Sequence, residues 1–121
     1  MSGAVTNQVT SHDGHARIDP TARLDGSKLR FSVTCPTGGE LSCQGNAEVR
    51  GPLRNGRRAR LARASFHGLR PGDHKRFAVP VKRSIRHRLR RGSSAAGLGV
   101  VQNQLESGMV RTLNRVKISF R

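Results

Sequence analysis

Two cysteines, five histidines and seven carboxylates are the side chains of this 121-residue chain with the usual repertoire of catalytic and metal chemistry. Their spacing limits what they can do. Cys35 and Cys43 have seven residues between them, with no CxxC and no second pair, which is not the pattern of a structural zinc site. Each lies on the inward parity of an alternating stretch, at the two ends of one turn. A hairpin would bring the sulfurs together, so a disulfide is expected. The alternative is two buried thiols packing as small hydrophobes. Closing so short a loop stabilises by roughly 2–3 kcal/mol on the chain-entropy estimate, and the bond implies an oxidising compartment.

The remaining candidates for chemistry are weaker. His12-Asp13-Gly14-His15 lies in a polar arm with no further ligand nearby, so no metal is expected. His67, His74 and His87 fall on turns or among arginines. Asp13, Asp19, Asp25, Glu40, Glu48, Asp73 and Glu106 sit mostly at turns or outward strand positions and nominate no acid–base pair. There is no GxSxG, and no glycine run is followed by GK[ST]. The expectation is no enzyme and no cofactor.

Charge is the strongest signal. Fifteen of the 23 basic residues lie between Arg50 and Arg91 with one acid, Asp73, so that window holds +14 of the chain's net +16. Arg57, Arg58, Arg60 and Arg63 fall on one stretch; Arg83, Arg86, Arg88, Arg90 and Arg91 fall on another. These nine are the candidate anion-binding residues. Arginine outnumbers lysine 19 to 4, which suits bidentate recognition of anionic groups. A solvated face produced by Arg-rich codon usage is the alternative. The chain has no Trp or Tyr and only four Phe, all on inward parity. Any nucleic-acid contact would therefore run through the backbone and ignore base sequence.

These residues are positioned by strands. Leu29, Phe31, Val33 and Cys35 alternate with polar residues, as do Cys43, Gly45, Ala47 and Val49. Ala59 and Leu61, then Ala64 and Phe66, change parity and predict a bulge. Phe77, Val79 and Val81 form a further strand, in which Pro80 argues for an edge. In 82–91, Val81, Ile85 and Leu89 make the apolar stripe of a short helical turn. Ala96, Leu98, Val100 and Gln102 predict another strand. Val110, Thr112, Val116, Ile118 and Phe120 predict the last, with a parity slip near Leu113. With an initial strand around 16–24 this makes about seven strands and an all-β, antiparallel sandwich. Its expected core is Leu29, Phe31, Val33, Phe66, Phe77, Val79, Leu98, Val100, Val116, Ile118 and Phe120. Residues 1–15 read as a flexible polar arm and 16–121 as one domain. No stretch is long and apolar enough to span a membrane, and residues 1–20 lack the apolar core of an export signal.

The succession FSVTCP, SCQGNAEV, ARASFHGLRPGDHKRFAVPV, RSIRHRLRR and a closing hairpin with ESG resembles the Ig-like β-sandwich domains of secreted and surface proteins from GC-rich actinobacteria. Cys35, Cys43, Gly45, Gly72, Phe77, Val79, Val81 and Leu89 carry the resemblance, which covers residues 16–121. It implies an extracellular or cell-surface location, no catalysis and no ligand residues. The functional expectation is a non-enzymatic structural or adhesion module with a basic face. The rival is a virion or ribonucleoprotein component contacting nucleic acid through residues 50–91. Expected partners are an anionic polymer or an acidic protein surface, with nucleic acid and other subunits of an assembly as further candidates.

Overall fold

Apolar residues at every second position of a chain become strands when those positions share one interior, and here they do. The computed structural model describes residues 7–9, 15–37, 42–90, 92–105 and 108–120. Its elements are β1 (Asn7–Val9), β2 (Arg17–Ile18), β3 (Thr21–Asp25), β4 (Lys28–Thr34), β5 (Cys43–Pro52), β6 (Arg58–Leu69), β7 (His74–Pro80), α1 (Arg83–Arg88), β8 (Ser94–Leu105) and β9 (Gly108–Phe120). Of the arm expected at 1–15, residues 7–9 form β1; His12 and Asp13 lie outside the described residues, as do Glu40, Arg91 and Glu106.

The fold is all-β with one short helix, as expected. A continuous sheet runs β2-β4-β3-β9-β8-β5-β6, with β7 added on β4 and β1 on β9. Most pairs are antiparallel, but β3 and β1 both run parallel to β9. The sheet folds over on itself. One layer holds β2, β3, β4 and β7; the other holds β9, β8, β5 and β6. β2 packs across β8 and β9 at one side, and β6 meets β7 at the other without pairing, so the sheet stays open. Pro80 lies at the end of β7, which pairs with β4 alone among the described residues. That is the place a proline without an N–H can occupy. The single initial strand expected at 16–24 is two strands, broken at Asp19-Pro20. The Asp19 carboxylate accepts hydrogen bonds from Ser32 Oγ and Thr34 Oγ1, both at 2.6 Å.

The interior contains Leu29, Phe31, Val33, Phe66, Val116 and Ile118, with Phe77, Val79 and Phe120 half-buried against it. Two expectations fail. Leu98 is only half-buried, and Val100, though buried as expected, stands apart from the main cluster: the face of β8 turned to that cluster is Gly97, Gly99, Val101 and Asn103. A Cβ on Gly97 would lie 2.6 Å from Ile118 Cδ1 and 2.7 Å from the Arg50 carbonyl oxygen. A Cβ on Gly99 would lie about 3.0–3.1 Å from Val116, Asn114 and Ile18. At Gly97 a side chain would force the Arg50 backbone to shift, and at Gly99 the neighbours would have to give by a few tenths of an ångström. The parity slip near Leu113 is also absent, because β9 pairs with β8 in unbroken register from Gly108 to Ser119.

The disulfide between Cys35 and Cys43 is formed, with the Cα atoms 5.8 Å apart. The two cysteines do not flank a hairpin, however. Cys35 follows β4 in one layer and Cys43 opens β5 in the other, so the bond ties the layers together. The bond is compatible with an extracellular protein, and no helix among the described residues is long and apolar enough to cross a membrane.

Candidate anion-binding surface

The two basic stretches become neighbours through backbone contacts. β5 turns into β6 at Arg54-Asn55-Gly56-Arg57. Gly56 takes a φ of +87°, which favours glycine, and the Asn55 side chain accepts the Arg57 N–H at 2.9 Å. The segment leaving α1 is clamped onto this hairpin. Leu53 and Leu89 form a β-bridge. The Arg54 N–H donates to the Arg88 carbonyl at 2.8 Å, and the Arg90 N–H donates to the Pro52 carbonyl at 3.0 Å. The Arg54 guanidinium also donates to the His87 carbonyl. Leu53, Val81 and Leu89 are buried and Ile85 is half-buried, so the apolar stripe read in 81–89 is what anchors the helix. Of its arginines, Arg83 and Arg88 are left exposed, while Arg86 is half-buried with its Nε donating to the Val81 carbonyl at 3.2 Å. Arg86, His87 and Arg88 occupy its last turn, where positive charge suits the helix dipole.

This brings Arg57, Arg58, Arg86, Arg88 and Arg90 together with Arg54 and His87, which sequence spacing alone did not nominate; Arg83 is exposed at the start of α1 and lines neither of the two clefts there. A cleft of about 600 Å³ is lined by Arg54, Arg86, His87, Leu89 and Arg90. A second, of about 580 Å³, lies between Arg58, Arg90 and the start of β8. Arg90 lines both.

Arg60 and Arg63 lie elsewhere, on the outer face of the β6–β5–β8–β9 layer. The expected bulge places them there. Ala62 pairs with Val49 and Arg60 with Arg50, which leaves Leu61 as the extra residue, and both Leu61 and Ala62 are buried. Without the bulge Arg63 would point inward with Leu61. With it, Arg58, Arg60 and Arg63 share one outward face about 16 Å long, running into the basic end at Arg58. On this face Glu48 pairs with Arg50 at 2.5 Å and with Arg60 at 3.7 Å, and its side chain is only 16% exposed. Val100, itself buried, lines a pocket on this face with Glu48, Arg50 and Arg63. Arg111 joins the group from β9; nothing in sequence spacing could place it there, because only the β8–β9 register does so. Arg91, the ninth candidate, lies outside the described residues.

A further cleft, about 700 Å³, opens on the other layer beside Arg23, Arg30, Ser32, Arg76 and Phe77. There Asp25 lies 3.6 Å from Arg23 and 3.5 Å from Arg30. Among the described residues no three His, Cys, Asp or Glu side chains gather as a metal would need.

No protein-family model and no curated protein matches the chain. Among solved structures, three of superoxide reductase (neelaredoxin) from Ignicoccus hospitalis are similar. The first is 14% identical with a TM-score of 0.47, covering 88% of this chain and 80% of that one. The others are 13% and 15% identical, with TM-scores of 0.46 and 0.43; they cover 88% and 87% of this chain and 82% and 80% of theirs. These values describe a loose likeness of strand arrangement and transfer no activity. The expectation of a structural or adhesion module, with its virion-component rival, is corrected to this extent: the neighbours found are reductases by name, and none is a module of that kind.

Proposed function

We infer that this protein binds an anionic polymer through the charges of the polymer's backbone. The observation that carries this is the clamp at Leu53 and Leu89, which fuses two basic stretches some thirty residues apart into one end. Like charges are driven together there by backbone bonds and two buried leucines, and a surface so assembled has a use for its charge. An arginine-lined cleft presents forked donors that match phosphate, sulfate or carboxylate groups. No Phe lines either cleft of the basic end, so no stacking platform accompanies its charge. Recognition therefore rests on charge density and reads no sequence. The disulfide supports an oxidising, extracellular setting, where acidic polysaccharides and teichoic acids are as accessible as nucleic acid. An acidic protein surface is the competing partner.

The test replaces Arg57, Arg58, Arg88 and Arg90 by Gln together. All four are exposed, and outward substitutions usually cost within about 0.5 kcal/mol each, so the fold is retained. Affinity is titrated against salt for duplex DNA, teichoic acid and an acidic polysaccharide. For duplex DNA the slope of log affinity on log salt becomes shallower by about three to four units, and affinity falls for the true polymer. Equal affinity and equal slope on every polymer would reduce these arginines to a solvated face.

A further inference from the structure

We propose that the pocket over Val100, on the outer face of the β6–β5–β8–β9 layer, seats one tetrahedral oxoanion, a phosphate or sulfate group, and that Glu48 is its built-in competitor. The inference rests on the polyanion reading and narrows it to the class of anionic group bound. Glu48, Arg50 and Arg63 line the pocket with Asn46, Gln102 and Arg111 around Val100. Three arginines and one carboxylate leave the lining at net +2, and Arg60 reaches Glu48 from beside it. The cavity measures about 130 Å³, the space of about four waters at ~30 Å³ each, which suits a group of five heavy atoms.

One detail points to a missing acceptor: Arg111 Nε is buried without a hydrogen-bond partner, and buried donors are almost always paired. The apolar floor of Val100, 3% exposed, keeps the local dielectric low and strengthens any charge-assisted bond made above it. Glu48 is chemically an anionic group already in place. It orders Arg50 and Arg60 through its two ion pairs and repels any second anion. A tetrahedral group offers the arginines more oxygens than the two of a carboxylate, so the seat selects phosphate or sulfate over isolated carboxylates.

The experiment follows the Arg111 Nε–H signal by NMR in the full chain while sodium sulfate or sodium phosphate is added, against sodium chloride at matched ionic strength. A saturable shift with sulfate or phosphate and none with chloride is expected. The preferred anion names the polymer: phosphate for a phosphodiester chain, sulfate for a sulfated polysaccharide. In E48Q saturation should come at about tenfold lower concentration, since a like charge within a few ångströms is removed. Arg111→Gln should abolish the sulfate- or phosphate-specific gain in melting temperature. Arg63→Gln, at an exposed position that folding does not need, should weaken saturation several-fold. No saturable shift overturns the seat. Weaker binding in E48Q overturns the competitor role and leaves Glu48 as a positioning residue. The polymer salt slope is read separately: if it persists while the anion titration stays flat, the seat fails and the polyanion reading stands.

Discussion

Asn103 shows how one polar side chain holds the two layers in place. It is 2% exposed. Its Oδ1 accepts the Ala16 N–H at 2.9 Å; its Nδ2 donates to the Ala16 carbonyl at 3.2 Å and to Thr112 Oγ1 at 3.1 Å. The amide completes the backbone of a segment that enters the fold just before β2 and has no ladder partner there. Asn103→Leu would fill the space and leave the Ala16 N–H and carbonyl buried and unpaired. Each such group costs about 1–3 kcal/mol, so stability should drop by about 2–6 kcal/mol in urea unfolding. A drop below about 1 kcal/mol would mean that water takes over the amide's role. This residue was not legible in the sequence. Reading β8 by its apolar residues puts Leu98 and Val100 inward and Asn103 outward. The true inward face begins with Gly97 and Gly99, chosen for closeness to Ile118 and Val116, and glycine gives no apolar signal. The Asn46, Glu48, Arg63 and Arg111 grouping was hidden for a related reason: it depends on pairing register across strands distant in sequence.

At the scale of elements, local patterns were legible and long-range pairing was not. β4, β5, β6 with its bulge, β7 with its edge proline, and α1 with its Val81–Ile85–Leu89 stripe each follow from period and punctuation. The parallel pairing of β3 on β9 does not, because alternation fixes which face is buried but leaves the neighbour open. The cysteines show both sides of this. Their bonding was expected from parity and proximity, yet they join β4 to β5 across the layers rather than within a hairpin. The same contact region is reinforced by Cys35 itself, whose N–H donates to the Asp73 carbonyl at 2.9 Å and whose carbonyl accepts from the Gly72 N–H at 2.7 Å. Replacing Cys35 and Cys43 by Ser together should lower stability by about 2–3 kcal/mol, from loop entropy restored to the unfolded chain. Non-reducing mass spectrometry of the parent protein should show two hydrogens fewer than the thiol form. An unchanged denaturation midpoint in the double variant would mean that the backbone bonds around Cys35 hold the layers by themselves.

Across the whole molecule, electrostatics is governed by a net charge of +16 on 121 residues. The ion pairs seen among the described residues centre on two acids, Asp25 and Glu48, and only Glu48 is substantially covered. Exposed pairs of the Asp25 kind contribute little, so most of the positive charge repels itself across the basic end and the outer face. That repulsion opposes the folded state, and salt removes it: the screening length falls from about 10 Å at 0.1 M to about 3 Å at 1 M. Salt also weakens attraction to a polymer, because counterions released on binding enter a more concentrated solution and gain less entropy. Stability and binding should therefore respond to salt with opposite signs. From 50 mM to 500 mM sodium chloride the melting temperature should rise, on the order of 4 °C for each kcal/mol of repulsion relieved, while affinity for the polymer falls along its log–log slope. The Gln variant at Arg57, Arg58, Arg88 and Arg90 should melt higher than the parent at low salt, and the two should converge as salt increases. A parent melting temperature that is flat or falling over this range would show that the arginines are spaced widely enough to ignore one another. The basic end would then lack the charge density on which binding to a polymer backbone depends.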